Sequence, residues 1–160
     1  MSFKIYKGDA VVADGESPLT ITGIDPNTDV SEGEYQATRV DGDNESERVD
    51  IPSFTTLPID VTGVTLSPKT SSAESGEDGS RQLSATISPS NATNKSVSYA
   101  IAPTTNGLSV DNSGLISWTD AVADGEYTTA VTTADGSFTD THVLTLTEPE
   151  LEEPDPEEGD

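Results

Sequence analysis

The chain of 160 residues carries 30 acidic and 7 basic side chains, for a formal net charge of −23. Seven scattered bases cannot form the Lys/Arg stripe that a phosphate backbone requires, so nucleic acid is excluded as a partner. Cysteine is absent, which excludes disulfide and thiolate chemistry, and no stretch is long and apolar enough to span a bilayer. The abundance of Thr, Ser, Gly and Asp predicts short strands joined by polar turns rather than helices.

The first sixty residues predict a series of short strands. Apolar residues alternate on either side of a turn at 7–9, which is typical of a β-hairpin. Further apolar runs lie at 19–24, 35–40 and 49–54, and turns rich in Asp, Asn and Gly separate them. The pattern therefore predicts a small sheet.

Four segments of this first unit occur in an order that is typical of a known domain family. They are FKIYKGD (3–9), LTITGIDPNT (19–28), YQATRVD (35–41), and NES (44–46) ahead of Thr55-Thr56. In this order they resemble the later part of a fibronectin type III domain. Two departures stand out: the chain begins where the family's third strand would begin, and the segment 29–34 is longer than usual.

The resemblance implies that the first two strands of that domain are absent. A sandwich without those strands leaves part of its inner face bare, and such a face usually marks a contact site. The apolar residues that would then need a cover are Phe3, Ile5, Leu19, Ile21, Tyr35 and Phe54. Of these, Phe3, Ile5, Ile21 and Phe54 are the expected contact residues. A small sheet that closes on itself is the alternative.

The pattern of residues 61–147 predicts a series of half-buried strands. Two runs with a period of two, at 83–87 and 97–101, flank a turn rich in Pro, Ser and Asn. Trp118 and Tyr127 are expected in the core. Strands are expected at 61–67, 81–88, 96–102, 107–111, 115–119, 126–133 and 138–147.

Four motifs occur in order within this segment. They are VTLSP (64–68), LSATISPSNATNKSV (83–97), NSGLI (112–116) and the hairpin turn ADGS (134–137). Together they resemble the bacterial Ig-like domain of group 2, and the turn NATNK is their most specific part. Tyr99 stands where that family usually has Trp. The resemblance covers about half of the chain and implies an Ig-like sandwich.

The expected fold is all-β: a fibronectin type III-like module at 1–57, a linker at 58–60, and an Ig-like domain at 61–147. In the last segment, 148–160, eight of thirteen residues are acidic and three are Pro. That composition predicts a disordered acidic tail. The tail serves solubility or acts as a docking peptide.

No residue pattern indicates catalysis, so we expect no enzyme activity, no cofactor and no metal. His142 is the only histidine, without a nucleophile motif or enough partners for zinc, and is predicted to be structural or exposed. Residues 41–46 resemble a calcium loop. However, Ser46 and Pro52 occupy the positions where an EF-hand needs Gly and Glu, and a hairpin turn explains the segment.

Short acidic proteins that combine these two kinds of domain and lack a signal peptide resemble accessory virion proteins of tailed bacteriophages. The resemblance implies a capsid decoration protein or head fibre, made in the host cytoplasm and located in the virion. Its expected partner is the major capsid protein or the tail tube, reached through Phe3, Ile5, Ile21 and Phe54. The Ig-like domain would project for weak adhesion to host cell-surface polysaccharide, and self-association is a further option. The alternatives are a tail-tube or tail-appendage protein and a bacterial surface adhesion module.

Overall fold

The computed structural model describes residues 1–150. Within that range the regular secondary structure is entirely β-strand, so the expected all-β class is confirmed. The chain divides into two compact units, Met1–Ile59 and a second that begins at Asp60. Most of the predicted acidic tail, residues 151–160, lies outside the described residues.

The first unit is a twisted antiparallel sheet with a small ladder beside it. The sheet has the order β2-β1-β4-β5, with β6 also pairing with β4, and the ladder joins β3 to β7. The strands are β1 (Ser2–Lys7), β2 (Ala10–Gly15), β3 (Asp29–Val30), β4 (Tyr35–Asp41), β5 (Asn44–Glu45), β6 (Val49–Asp50) and β7 (Phe54–Thr55).

A small core holds this first unit together. Ile5, Val30 and Tyr35 are buried. Partly buried residues pack around these three, namely Ala13, Leu19, Ile21, Ile24, Ile51 and Phe54. A cluster with three buried members is small, as expected where so short a segment buries little of its apolar surface.

The second unit is a two-layer sandwich. One layer contains the ladders β8-β11 and β10-β14-β13, which meet at Leu83, and the other has the order β12-β15-β16-β9. The strands are β8 (Gly63–Ser67), β9 (Thr70–Glu74), β10 (Gly79–Gln82), β11 (Ser84–Ser88), β12 (Val97–Ala102), β13 (Leu108–Val110), β14 (Leu115–Trp118), β15 (Gly125–Thr133) and β16 (Thr139–Thr147).

The core of the sandwich lies between these layers. Leu66, Leu83 and Ile116 contribute from one layer, and Val131 and Leu144 from the other, each at most 1% exposed. Period-two alternation along each strand places these apolar side chains inward. The predicted burial of the two aromatic residues is confirmed, with Trp118 5% and Tyr127 6% exposed.

Two features of the sandwich differ from the sequence prediction. The expected strand at 81–88 is broken at Leu83, whose backbone N–H donates to the Gly114 carbonyl at 2.9 Å instead of continuing one ladder. The strand β9 is an addition, and it pairs in parallel with β16. Its sequence, TSSAE, lacks the apolar alternation that identifies a half-buried strand.

Local packing explains the small residues in two of the motif turns, NATNK and NSGLI. In the NATNK turn, Ala92 is 4% exposed, and Lys95 donates to the Ser90 carbonyl at 2.7 Å. Gly114 has φ +81°, and a Cβ there would lie 3.0 Å from the ring of Tyr99. Both turns therefore need a small residue at their buried position.

Candidate functional site

A shallow apolar groove lies on the inner face of the first unit's sheet. It has a volume of about 200 Å³ and is lined by Phe3, Ile5, Ser17, Leu19 and Ala37. The residues come from β1, β4 and the loop after β2. This groove contains two of the four residues that the sequence predicted as contacts.

The strand register explains why a recess forms here. Ile5 lies between Ala13 on β2 and Ala37 on β4. Directly opposed side chains on one face of a sheet are neighbours, and both neighbours of Ile5 are short. The surface beside Ile5 is therefore recessed, and the larger side chains of Phe3 and Leu19 form the sides of the recess.

Apolar surface continues beyond the groove along the same row. Val49 on β6 pairs with Ala37 and is 66% exposed. A large exposed aliphatic side chain next to an apolar recess extends the area that a partner could cover.

The other two predicted contact residues lie elsewhere. Ile21 and Phe54 are half-buried and pack against the small core of Ile5, Val30 and Tyr35. Phe54 also lines a second shallow depression of about 350 Å³ beside Asp29 and Ser31. The structure thus brings Phe3 and Ile5 to one groove, while Ile21 and Phe54 support the sheet from the side.

Sequence reasoning missed Ala37, Val49 and Arg39 as parts of this face. Arg39 is exposed and lies directly across from Phe3 in the β1–β4 register. The alternation along β4 could have placed Ala37 and Arg39 on the same face as Tyr35. The pairing of that face with Phe3 required the register, which the sequence alone does not supply.

The opposite face of this sheet carries a saturated polar network. Glu45 accepts hydrogen bonds from Lys4 at 2.9 Å, Tyr6 at 2.6 Å and Thr38 at 2.7 Å. These donors, Lys4 first, lower the pKa of the Glu45 carboxyl to about 2. The Arg48 guanidinium lies 4.0 Å from the centroid of the Tyr6 ring. Because its groups already bind one another, this face offers a partner less than the groove does.

His142 occupies a structural position inside the sandwich. Its side chain is fully buried, with Nδ1 2.8 Å from the Pro68 carbonyl and Nε2 3.0 Å from Ser71 Oγ. One ring nitrogen therefore contacts the segment between β8 and β9 and the other contacts β9 itself, in agreement with the structural interpretation of this histidine.

Among residues 1–150 no three His, Asp or Glu side chains lie together in a way that could hold a metal ion. Within the described chain no helix is long and apolar enough to cross a membrane. The segment 41–46 contains the turn between β4 and β5, which pair at Asp41 and Asn44.

Negative charge is concentrated at one end of the sandwich. The pairs Gly125–Leu146 and Thr147–Glu74 place the start of β15 and the ends of β9 and β16 together. Eight acidic residues and no base, counted over residues 1–150, lie in or beside the loops at this end: Glu74, Glu77, Asp78, Asp120, Asp124, Glu126, Glu148 and Glu150. The chain enters at the opposite end, where the N–H of Val61 donates to Asp135 at 2.9 Å.

Solved structures with similar folds include the Drosophila N-cadherin EC1-4 domains and the fibronectin(III)-like modules of Clostridium thermocellum CbhA. The cadherin has 13% identity and a TM-score of 0.49, covering 92% of this chain and 41% of the other. The CbhA modules have 16% identity and a TM-score of 0.37, covering 98% and 83% of the two chains.

Sequence comparison gives two closer relationships. A protein of Serratia phage KSP90 described as an "Ig-like virion protein" is 40% identical over 84 residues, which cover 48% of this chain and 32% of that protein. The chain thus spans about a third of its relative's length. Residues 60–143 match the family model of the bacterial Ig-like domain (group 2). This match covers more than half of the 160 residues, and the chain belongs to the bacterial Ig-like domain (group 2) family.

Proposed function

We propose that this chain is a non-enzymatic structural protein of a tailed-bacteriophage virion, a capsid decoration protein or head fibre. The observation that carries the proposal is the 40% identity to the Ig-like virion protein of Serratia phage KSP90. The fold adds support, because its polar networks serve structure, as around Glu45, which binds Lys4, Tyr6 and Thr38. Hydrogen bonds to Pro68 and Ser71 already occupy the one histidine.

In this proposal the first unit attaches to the shell through the groove at Phe3 and Ile5. Burial of one large apolar side chain is worth roughly 1.5 to 3 kcal/mol. A groove of about 200 Å³ has room for one or two such side chains, so a single contact is weak. Repeated contacts on a lattice, or contacts shared by linked copies, make weak sites sufficient.

The Ig-like unit projects from the shell in the same proposal. Its acidic end lies opposite the end where the chain enters at Val61. Like charges at the outer ends keep neighbouring copies apart and the particle soluble. The outward positions of β15 and β16 include Thr128, Thr132 and Thr141. Their hydroxyls suit weak hydrogen bonding to a host cell-surface polysaccharide.

The test mixes the full chain with shells and with tails, both purified from phage particles assembled without this protein. Co-sedimentation with shells is expected. Phe3→Ser should reduce it, as should Val49→Asp, which adds charge beside the groove at an exposed position and spares the core. Phe138→Ser is the matched control, because Phe138 lies in the Ig-like unit and is 37% exposed.

The outcomes distinguish attachment to the shell through the groove, attachment to the tail, and no attachment to either. Reduced binding by the Phe3 and Val49 variants, with normal binding by the Phe138 variant, supports attachment through the groove. Binding only to tails would move the protein to the tail. An unmodified chain that binds neither shells nor tails would overturn the proposed function.

A further inference from the structure

Arg39 stands beside the apolar groove. It pairs with Phe3 across β1 and β4 and follows Ala37 by two residues on the same strand. Residues two apart on a strand, and residues directly opposite across a ladder, share one face of the sheet. The guanidinium is therefore carried on the face that contains the groove, next to two of its lining residues.

Arg39 is also unusual among the basic residues of the chain. Four of the seven, Lys4, Lys7, Arg48 and Lys69, form ion pairs with carboxylates. Lys95 donates to a carbonyl, and Arg81 is half-buried in the sandwich. Within residues 1–150 the side chain of Arg39 has no ion pair and no hydrogen bond, although it is exposed.

An unpaired guanidinium is notable in this acidic surrounding. The first unit has twelve carboxylates in residues 1–59, and paired bases elsewhere in the unit show that such pairs form readily. Arg39 keeps five N–H donors in a planar fork, a geometry that matches a carboxylate and binds it through two parallel hydrogen bonds.

We infer that the surface bound by the groove presents a carboxylate next to an apolar side chain. The apolar side chain enters the recess between Phe3 and Leu19, and the carboxylate binds Arg39 at its edge. The partner is thus a protein segment of the shell with an Asp or Glu beside a large aliphatic or aromatic residue. This inference rests on the proposed function and adds the chemistry of the contact.

The test compares two variants with the same change in net charge. Arg39→Gln removes the guanidinium beside the groove, and Arg48→Gln removes one on the opposite face, where Arg48 stacks on Tyr6. Both full-length variants are titrated against shells assembled without the protein. Circular dichroism verifies that both remain folded. Because the overall charge is equal, any difference in affinity reports the local contact.

We expect Arg39→Gln to weaken shell binding about tenfold or more relative to Arg48→Gln, the usual scale for a charge-assisted bidentate pair at an interface. Equal affinities for the two variants would overturn the inference while leaving attachment intact. Failure of the unmodified chain to bind shells would instead overturn its proposed attachment to the shell, and the inference would fall with it.

Discussion

The Asp140 carboxylate accepts the backbone N–H of Leu66 at 2.6 Å, which ties β16 to the end of β8. The same carboxylate forms an ion pair with Lys69 and accepts the N–H of Thr141 at 2.9 Å. Here the chain leaves one layer of the sandwich and joins the other as β9. Asp140 therefore holds the crossing point between layers.

Asp140 should make the Ig-like unit sensitive to acid. Its donors, Lys69 first, lower its pKa from 3.8 to about 2. A folded-state pKa below the unfolded value means that the stabilisation is present at neutral pH and is lost as pH falls from about 4 towards 2. We expect Asp140→Asn to cost about 1 to 2 kcal/mol at pH 7 and to flatten this acid dependence.

The measurement is urea unfolding between pH 7 and pH 2.5, followed by tryptophan fluorescence. Trp118 is the single tryptophan, so the signal reports the Ig-like unit. Asp124→Asn, at an exposed position in a loop, is the control and should keep the slope of the wild-type chain. An unchanged acid dependence in Asp140→Asn would contradict the assigned role.

His142 should be a structural residue. His142→Ala removes the contacts with Pro68 and Ser71 and leaves a cavity in a fully buried site. We expect a loss of about 3 kcal/mol in the free energy of unfolding. Thr141→Ala, at an exposed neighbouring position, should change it by less than about 0.5 kcal/mol. Similar losses in both variants would show that His142 has no special role.

Gly79 should tolerate no side chain. A Cβ there would lie 2.3 Å from the ring of Trp118, its partner across β10 and β14. Gly79→Ala must displace the indole, at a cost of about 1 to 3 kcal/mol, and should alter the tryptophan emission. Gly63→Ala is the control, because nothing lies within 4 Å of its Cβ position. Equal stability of the two variants would rule out this packing constraint.

The parts of the fold that could be predicted are those whose pattern is local. Strands β15 and β16 alternate strictly on either side of an Asp-Gly turn, and the prediction of a hairpin there is confirmed. Strand β9 escaped prediction because Thr70–Glu74 is mostly polar, and its pairing partner, residues 143–147 of β16, lies about seventy residues away along the chain. Local patterns carry no information about contacts at that separation.

The groove shows the same limit. Phe3 and Ile5 were predicted from their size and alternation, whereas the recess depends on Ala13 and Ala37 opposite Ile5. A small residue becomes informative only once the register places it beside a larger one. From the sequence, Ile21 and Phe54 were expected on the same apolar face as the groove residues. In the structure both side chains are half-buried and pack against the small core.

The most direct test of the account is electron cryo-microscopy of shells saturated with the full-length protein. We expect density for the first unit against the shell, with the groove at Phe3 and Ile5 facing a shell protein, and the Ig-like unit farther out. Density that places the Ig-like unit against the shell, with the face of β1 and β4 turned to solvent, would contradict it.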